Sequence, residues 1–163
     1  MDGADEEIRR VLFRYCRGVD RIDMAIVRSC YWPEAIDDHG AFKGGVDDFI
    51  DWISRLLPRY GVTTHMVTNV LVDRHPTRED VARCESYGIA EHQTPGGPPE
   101  LNLTIAFRYL DRFEKRDGEW RIADRFCTTE WVRANDPATI FPVDDRFPRG
   151  TRDGTDRVFD PWD

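Results

Sequence analysis

The chain has 163 residues, of which 40% are hydrophobic and 33% charged, with a net charge of −8 and a sequence pI near 5.0. This length fits one domain with a real core, and the acidic balance disfavours nucleic-acid binding because Arg and Lys are interleaved with Asp and Glu. No apolar run approaches the ~20 residues of a membrane span, and the acidic N-terminus is unlike a secretory signal. We therefore expect a cytoplasmic protein that binds neither nucleic acid nor membranes.

The cysteines are scattered along the chain and show no CxxC spacing; they are Cys16, Cys30, Cys84 and Cys127. This pattern argues against a zinc site and against a disulfide framework. We expect four small residues in a reduced protein that needs no metal ion and no cofactor.

The first half of the chain is predicted to be mainly helical. Apolar residues at i, i+3, i+4 and i+7 spacing predict an amphipathic helix over about 5–19. Asp23 is a good N-cap for a short second helix. A short strand is expected over 35–39, and a third helix over 46–57.

The second half is predicted to be an antiparallel meander with strands over 63–73, 80–92, 101–114 and 119–132. Its second strand has only small residues at even positions: Ala82, Cys84, Ser86, Gly88 and Ala90. If these residues face the helices, they leave volume for a ligand. If they face outward, they permit close packing of subunits.

Helices followed by a meander predict an α+β fold. We expect about three N-terminal helices on a curved, mostly antiparallel sheet, forming a cone-shaped α+β barrel around an apolar pocket. This domain is expected to span residues 1–132. The tail, residues 133–163, is expected to cover the pocket or a subunit interface, or to pack loosely. Its candidate apolar anchors are Ile140, Phe141, Phe147, Phe159 and Trp162.

Three segments resemble the SnoaL-like branch of the nuclear transport factor 2 superfamily. They are YCRGVDRID over 15–23, THMVTN over 64–69 and YLDRFEKRDGEWRIADR over 109–125. The resemblance spans residues 5 to about 132 and implies the cone-shaped fold. Because this superfamily hosts dehydratases, isomerases, a dehydrochlorinase, dioxygenase small subunits and non-enzymatic binders, the fold alone does not define an activity.

Within the superfamily, the chain looks most like the lindane dehydrochlorinase, bile-acid dehydratase and scytalone dehydratase group. Those enzymes use a His–Asp pair for proton abstraction, and in the first two an Arg on the last strand assists. The resemblance implies these roles for His65, Asp20 and Arg125.

Each of these three residues also has a plainer interpretation. Asp20 ends the first helix, where the dipole disfavours a carboxylate by ~0.3–1 kcal/mol, but it could be a solvated turn residue. His65 opens a β-rich segment and could be a structural core histidine. Arg125 could face the pocket or pair with a surface acid, because strand parity does not say which face is concave. The other histidines, His39, His75 and His92, are expected to be solvated.

Further residues are candidates for contact with a ligand. Tyr15 lies in the apolar stripe of the first helix, and its hydroxyl could reach the cavity. Asn69 is predicted on the same strand face as His65, where it could hold the far end of a ligand. Core packing is the alternative for the remaining candidate wall residues: Trp32, Phe49, Trp52, Tyr87, Leu103 and Trp131.

The favoured hypothesis is a cofactor-independent lyase that eliminates water, or an isomerase, acting on a hydrophobic cyclic small molecule. His65 would remove a proton from carbon, Asp20 would orient it, and Arg125 or Tyr15 would assist the leaving group. The alternatives are a non-enzymatic binding or assembly module and the small subunit of a ring-hydroxylating dioxygenase. A homodimer or homotrimer is expected from the resemblance.

Overall fold

A computed structural model describes residues 3–140, 143–144 and 146–161 of the protein. Three helices come first: α1 (Gly3–Arg21), α2 (Met24–Ser29) and α3 (Val46–Leu56). Asp23 caps α2 as predicted, because its side chain accepts a hydrogen bond from the Ile26 amide at 3.0 Å. In the described part of the chain, no helix is long and apolar enough to cross a membrane.

The strands form one six-stranded sheet. They are β1 (Tyr31–Asp38), β2 (Lys43–Gly45), β3 (Val62–Arg74), β4 (Val81–Gln93), β5 (Leu103–Arg116) and β6 (Glu119–Ala134). The order across the sheet is β2-β1-β6-β5-β4-β3, with β1 and β6 parallel and all other neighbours antiparallel. The predicted α+β class is confirmed, although the sheet is mixed and does not close into a barrel.

The helices pack on one face of this sheet, which we call the inner face. The small even-numbered residues of β4 lie buried there, so they face the helices. Gly88 has a specific reason to lack a side chain, because the Phe107 ring lies where its Cβ would be. The small residues thus leave room for larger side chains, and for a cavity, between sheet and helices.

A β-bulge in β3 changes which side chains reach the inner face. Val67 pairs with Gly88, but Val70 pairs with Ser86, so β3 contains one extra residue. Val67 and Val70 are therefore both partly buried on the helix side, and Asn69 is exposed. The prediction that Asn69 shares the inner face with His65 is wrong because it assumed unbroken alternation.

Two bulges in β6 have the same kind of effect. The first lies at Ala123, so Ile122 and Arg125 are both buried on the inner side. The second follows Thr129 and turns Trp131 to the outer face, where it is 45% exposed. These irregularities, rather than parity, decide which residues of β6 lie beneath the helices.

The tail contacts the core mainly through polar side chains. Arg152 donates to the backbone carbonyl oxygens of Asp20 at 3.2 Å, Leu57 at 3.1 Å and Tyr60. Among the predicted apolar anchors of the tail, Phe147 is 62% exposed, so the prediction that Phe147 is an anchor is wrong. Ile140 and Phe159 are partly buried, and Phe141 and Trp162 lie outside the described residues.

Candidate active site

A cavity of about 200 Å³ lies between the inner face and helices α1 and α3. Its wall is largely apolar and includes Phe49 and Trp52 of α3. Its titratable side chains are Tyr15, His39, Tyr60, His65, His92, Tyr109 and Cys127. An apolar cavity with a few converging polar groups is the usual form of a small-molecule site.

Asp20 and His65 meet at this cavity. Asp20 Oδ1 lies 2.7 Å from His65 Nδ1, and Asp20 Oδ2 accepts the His65 backbone N–H at 2.9 Å. Thr63 donates its hydroxyl to Asp20 Oδ1 at 3.0 Å. Asp20 is 8% exposed. These three contacts offset the unfavourable position of a carboxylate near a helix C-terminus.

This arrangement defines the two nitrogens of His65. The carboxylate favours the tautomer with the proton on Nδ1, which leaves the lone pair on Nε2. Nε2 has no hydrogen-bond partner among the described residues, and the ring lines the cavity. His65 can therefore accept a proton from a molecule in the cavity, while Asp20 stabilises the resulting imidazolium.

His92 lies beside His65, with ring centroids 5.5 Å apart, and Tyr60 packs on it at 4.6 Å. Burial, followed by the electrostatic effect of the neighbouring His65 ring, lowers the pKa of His92 to about 4. His92 is thus neutral near pH 7. The prediction that it is solvated is wrong, because β4 carries it into the cavity wall.

Arg125 lies beneath the cavity rather than in its wall. It is 1% exposed and donates to both carboxylate oxygens of Asp111, at 2.8 and 2.7 Å. Its guanidinium stacks over the rings of Tyr109 and Tyr15, with distances of 3.8 and 4.3 Å to the ring centroids. Because it does not line the cavity, the structure does not support direct contact between Arg125 and a leaving group.

A second histidine–aspartate pair faces the same cavity, and the sequence interpretation missed it. His39 Nδ1 contacts Asp37 Oδ1, and the His39 ring stacks on Phe49 with centroids 5.0 Å apart. Asp37 is completely buried, and Tyr31 donates its hydroxyl to Asp37 Oδ2 at 2.7 Å. The available signal was the D-x-H spacing at the end of β1, since residues i and i+2 of an extended chain point the same way.

Comparison with known proteins assigns the sequence to a family. A model of the SnoaL-like domain matches residues 4–125, which is most of the chain. The chain belongs to the SnoaL-like family. It thereby falls in the nuclear transport factor 2-like superfamily, as the sequence resemblance implied.

Solved structures similar to this SnoaL-like protein include two hexachlorocyclohexane dehydrochlorinases. The type 2 enzyme is 19% identical, with a TM-score of 0.73 and coverage of 88% of this chain and 95% of that chain. The type 3 enzyme from Novosphingobium barchaimii is 19% identical, with a TM-score of 0.72 and coverage of 86% and 94%.

A protein from Novosphingobium aromaticivorans, provisionally assigned as a scytalone dehydratase, is 20% identical, with a TM-score of 0.69 and coverage of 84% and 94%. At such identities the likeness shows the fold alone. No functionally curated protein matches the sequence significantly.

Of the predicted ligand contacts of this SnoaL-like protein, Tyr15, Phe49 and Trp52 line the cavity. Asn69, Tyr87 and Trp131 do not; they border a groove on the outer face of the sheet. Asn69 and Trp131 were displaced by the bulges, and Tyr87 alternates with the inward-facing small residues of β4.

Two further wall predictions are also wrong. The Trp32 ring contacts the Arg116 and Arg121 guanidiniums, at 4.7 and 4.8 Å from its centroid, and its indole N–H donates to the Glu114 carbonyl at 3.0 Å. Leu103 begins β5 two residues before Ile105, which is the first residue of that strand in the cavity wall. Aromatic or aliphatic character alone did not distinguish the cavity wall from other surfaces.

Proposed function

We propose that this SnoaL-like protein is a cofactor-independent enzyme that removes a proton from carbon in a hydrophobic cyclic small molecule. Elimination of a hydroxyl group as water is the favoured reaction, and double-bond migration is the next. The observation that supports this proposal is the Asp20–His65 pair, whose free Nε2 lies at an apolar cavity.

The proposed first step is proton transfer from a substrate carbon to His65 Nε2. Asp20 holds the opposite nitrogen at 2.7 Å and stabilises the positive charge that develops on the ring. Burial of both side chains strengthens this charge–charge interaction relative to water. The electron pair of the broken C–H bond then forms a double bond as the leaving group departs.

The surroundings of the pair suit an uncharged substrate. Phe49, Trp52 and Phe107 give the cavity flat apolar walls, against which a ring can pack. The dehydrochlorinase and the provisional dehydratase among the structural neighbours are both named for eliminations, which agrees with the proposed reaction class. The shape of these walls would determine which cyclic substrate this protein accepts.

The alternative of a purely binding module is less well supported. That alternative would be favoured by an Asp20–His65 separation too long for a hydrogen bond and by a cavity filled with side chains. Instead the two side chains are 2.7 Å apart and the cavity is open. The expected homodimer or homotrimer stays a prediction. We expect its contact on the outer face, where four strands expose apolar side chains: Met66, Tyr87, Leu110, Phe126 and Trp131.

The proposal can be tested with 5-nitrobenzisoxazole, a flat apolar probe that opens to a cyanophenol when a base removes its ring C–H proton. We expect the purified protein to accelerate this ring opening and His65→Ala to lose ~10²–10⁴-fold of the acceleration. Asp20→Asn should lower the rate in the same direction. His75→Ala is the matched control, because His75 is an exposed histidine outside the cavity. A His65→Ala variant as fast as the unmodified protein would refute the proposal.

A further inference from the structure

We propose that His39, held by Asp37, is a second acid–base residue of this cavity and protonates the leaving group. This inference rests on the proposed elimination and adds a proton donor for the leaving group that acts while His65 takes the proton from carbon. It also gives Arg125 a role, as a positioning residue that acts through Tyr31.

The two pairs have the same chemical form. In each, a carboxylate contacts Nδ1 of a histidine, and the ring lines the cavity. The described residues offer no hydrogen-bond partner to Nε2 of either ring. The His39 side chain is 17% exposed and the Asp37 side chain 0%. The Asp37 carboxylate favours a proton on Nδ1 of His39, as Asp20 does for His65, and leaves Nε2 as the atom available to a molecule in the cavity.

A chain of buried polar contacts leads to His39 from the core. Arg125, paired with Asp111, donates to the Tyr31 hydroxyl at 3.3 Å, and that hydroxyl donates to Asp37 at 2.7 Å. Asp37 then contacts His39. Ordering so many buried polar groups is costly unless each is satisfied, and the chain ends at the one member that faces the cavity.

His39 and His65 stand at different parts of the cavity wall. Tyr109 packs against His39 at 5.8 Å, Phe107 packs against Tyr109 at 4.6 Å, and His65 lies 6.3 Å from Phe107, measured between ring centroids. Each imidazole therefore packs against one of two neighbouring aromatic rings of β5. A cyclic substrate lying on these two rings would lie beside both imidazoles.

Two imidazoles in the wall of one cavity suit an elimination that needs a base and an acid at once. His65 takes the proton from carbon, the C–H electron pair becomes the new π bond, and the carbon–oxygen bond breaks. The oxygen departs with its electron pair and takes the Nε2 proton of the His39 imidazolium, so the products are an alkene and water. Transfer of a proton from His65 to His39 through solvent then restores both residues.

The leaving group provides the test. Unsubstituted benzisoxazole and 5-nitrobenzisoxazole need the same base, but the nitro group stabilises the departing phenoxide and reduces its need for an acid. We expect His65→Ala to slow both probes by similar factors. We expect His39→Gln, whose amide cannot give up a proton, to slow the unsubstituted probe by ~10²-fold and the nitro probe by much less.

Further variants separate catalysis from folding. Asp37→Asn should change the ratio of the two rates in the same direction as His39→Gln, and His75→Ala should leave both rates unchanged. Circular dichroism and the urea midpoint of each variant show whether it is folded. If His39→Gln is not folded, His39→Asn takes its place.

The inference is overturned if folded His39 variants slow both probes equally or not at all while His65→Ala behaves as proposed. If the unmodified protein accelerates neither probe, the proposed function itself is contradicted, and the inference falls with it.

Discussion

The two histidine–aspartate pairs of this SnoaL-like protein face one cavity but are assembled differently. Asp20 and His65 come from the end of a helix and the start of a strand, 45 residues apart in the chain. Asp37 and His39 are two residues apart in the same segment. The first pair exists because α1 packs on β3, whereas the second needs only an extended backbone.

Their supports differ as well. The first pair is held by Thr63 and by Arg152 of the tail, which donates to the Thr63 hydroxyl at 3.3 Å and to the Asp20 carbonyl. The second is held from the core through Arg125 and Asp111. The local pair thus depends on the deepest ion pair of the fold, and the long-range pair depends on a segment near the surface. Each support can be removed separately.

The largest effect is expected from Asp111→Ala. This variant leaves Arg125 buried without its carboxylate, which should lower the free energy of unfolding by ~3–5 kcal/mol in a urea titration. A double variant, Arg125→Met with Asp111→Leu, should recover much of that loss because no charge then remains buried. Removing Asp144 from its exposed pair with Arg146 is the control and should change stability little. A small effect of Asp111→Ala would contradict the buried Arg125–Asp111 ion pair from which the second pair is held.

A smaller effect is expected from His92, which lies beside the first pair and makes the stability of the protein depend on pH. Its pKa falls from an ordinary 6.5 to about 4, so between these values the unfolded chain binds a proton that the folded chain does not. Stability therefore decreases as the pH falls from ~6.5 to ~4, by up to ~2–3 kcal/mol. The His92→Phe variant should lack this contribution to the pH dependence. The difference in unfolding free energy between the unmodified protein and the variant should therefore change with pH. A constant difference across that range would contradict the lowered pKa.

The smallest change in stability is expected from Arg152→Ala. Loss of its hydrogen bonds should cost ~1–2 kcal/mol of unfolding free energy. Because Asp20 and Thr63 lose a neighbour, kcat for both benzisoxazoles should fall on the order of 10- to 100-fold, with their ratio and KM little changed. Arg157→Ala, an exposed arginine of the same tail, should leave the rates unchanged. A changed ratio of the two rates would show that the tail also acts on His39.

Much of the fold could be predicted from local patterns. The periodicity of α1, the cap at Asp23 and the alternation along β5 depend on neighbouring residues, and the structure has all three. The bulges in β3 and β6 were not predicted, because an extra residue shifts the phase of the alternation and these strands carry apolar residues on both faces, which hides the shift. That is why Asn69 and Trp131 were assigned to the wrong face.

The candidate site was predictable to a different degree. Asp20 and His65 were found through the family resemblance, and no local rule would have paired them. His39 was visible beside Asp37 but was dismissed because it precedes a glycine turn. Arg125 was predicted to assist the leaving group or to pair with a surface acid, and the structure supports neither, because the bulge at Ala123 places it beneath the cavity.

The sequence by itself determined the α+β class, the order of the three helices and of five of the six strands, and the types of residue available for proton transfer. These follow from interactions within a few residues along the chain. Only the tertiary structure decided which carboxylate contacts which imidazole, which ring nitrogen is left free, and which aromatic rings border the cavity. Those features depend on strand register and helix packing, where a shift of one residue turns a side chain to the opposite face.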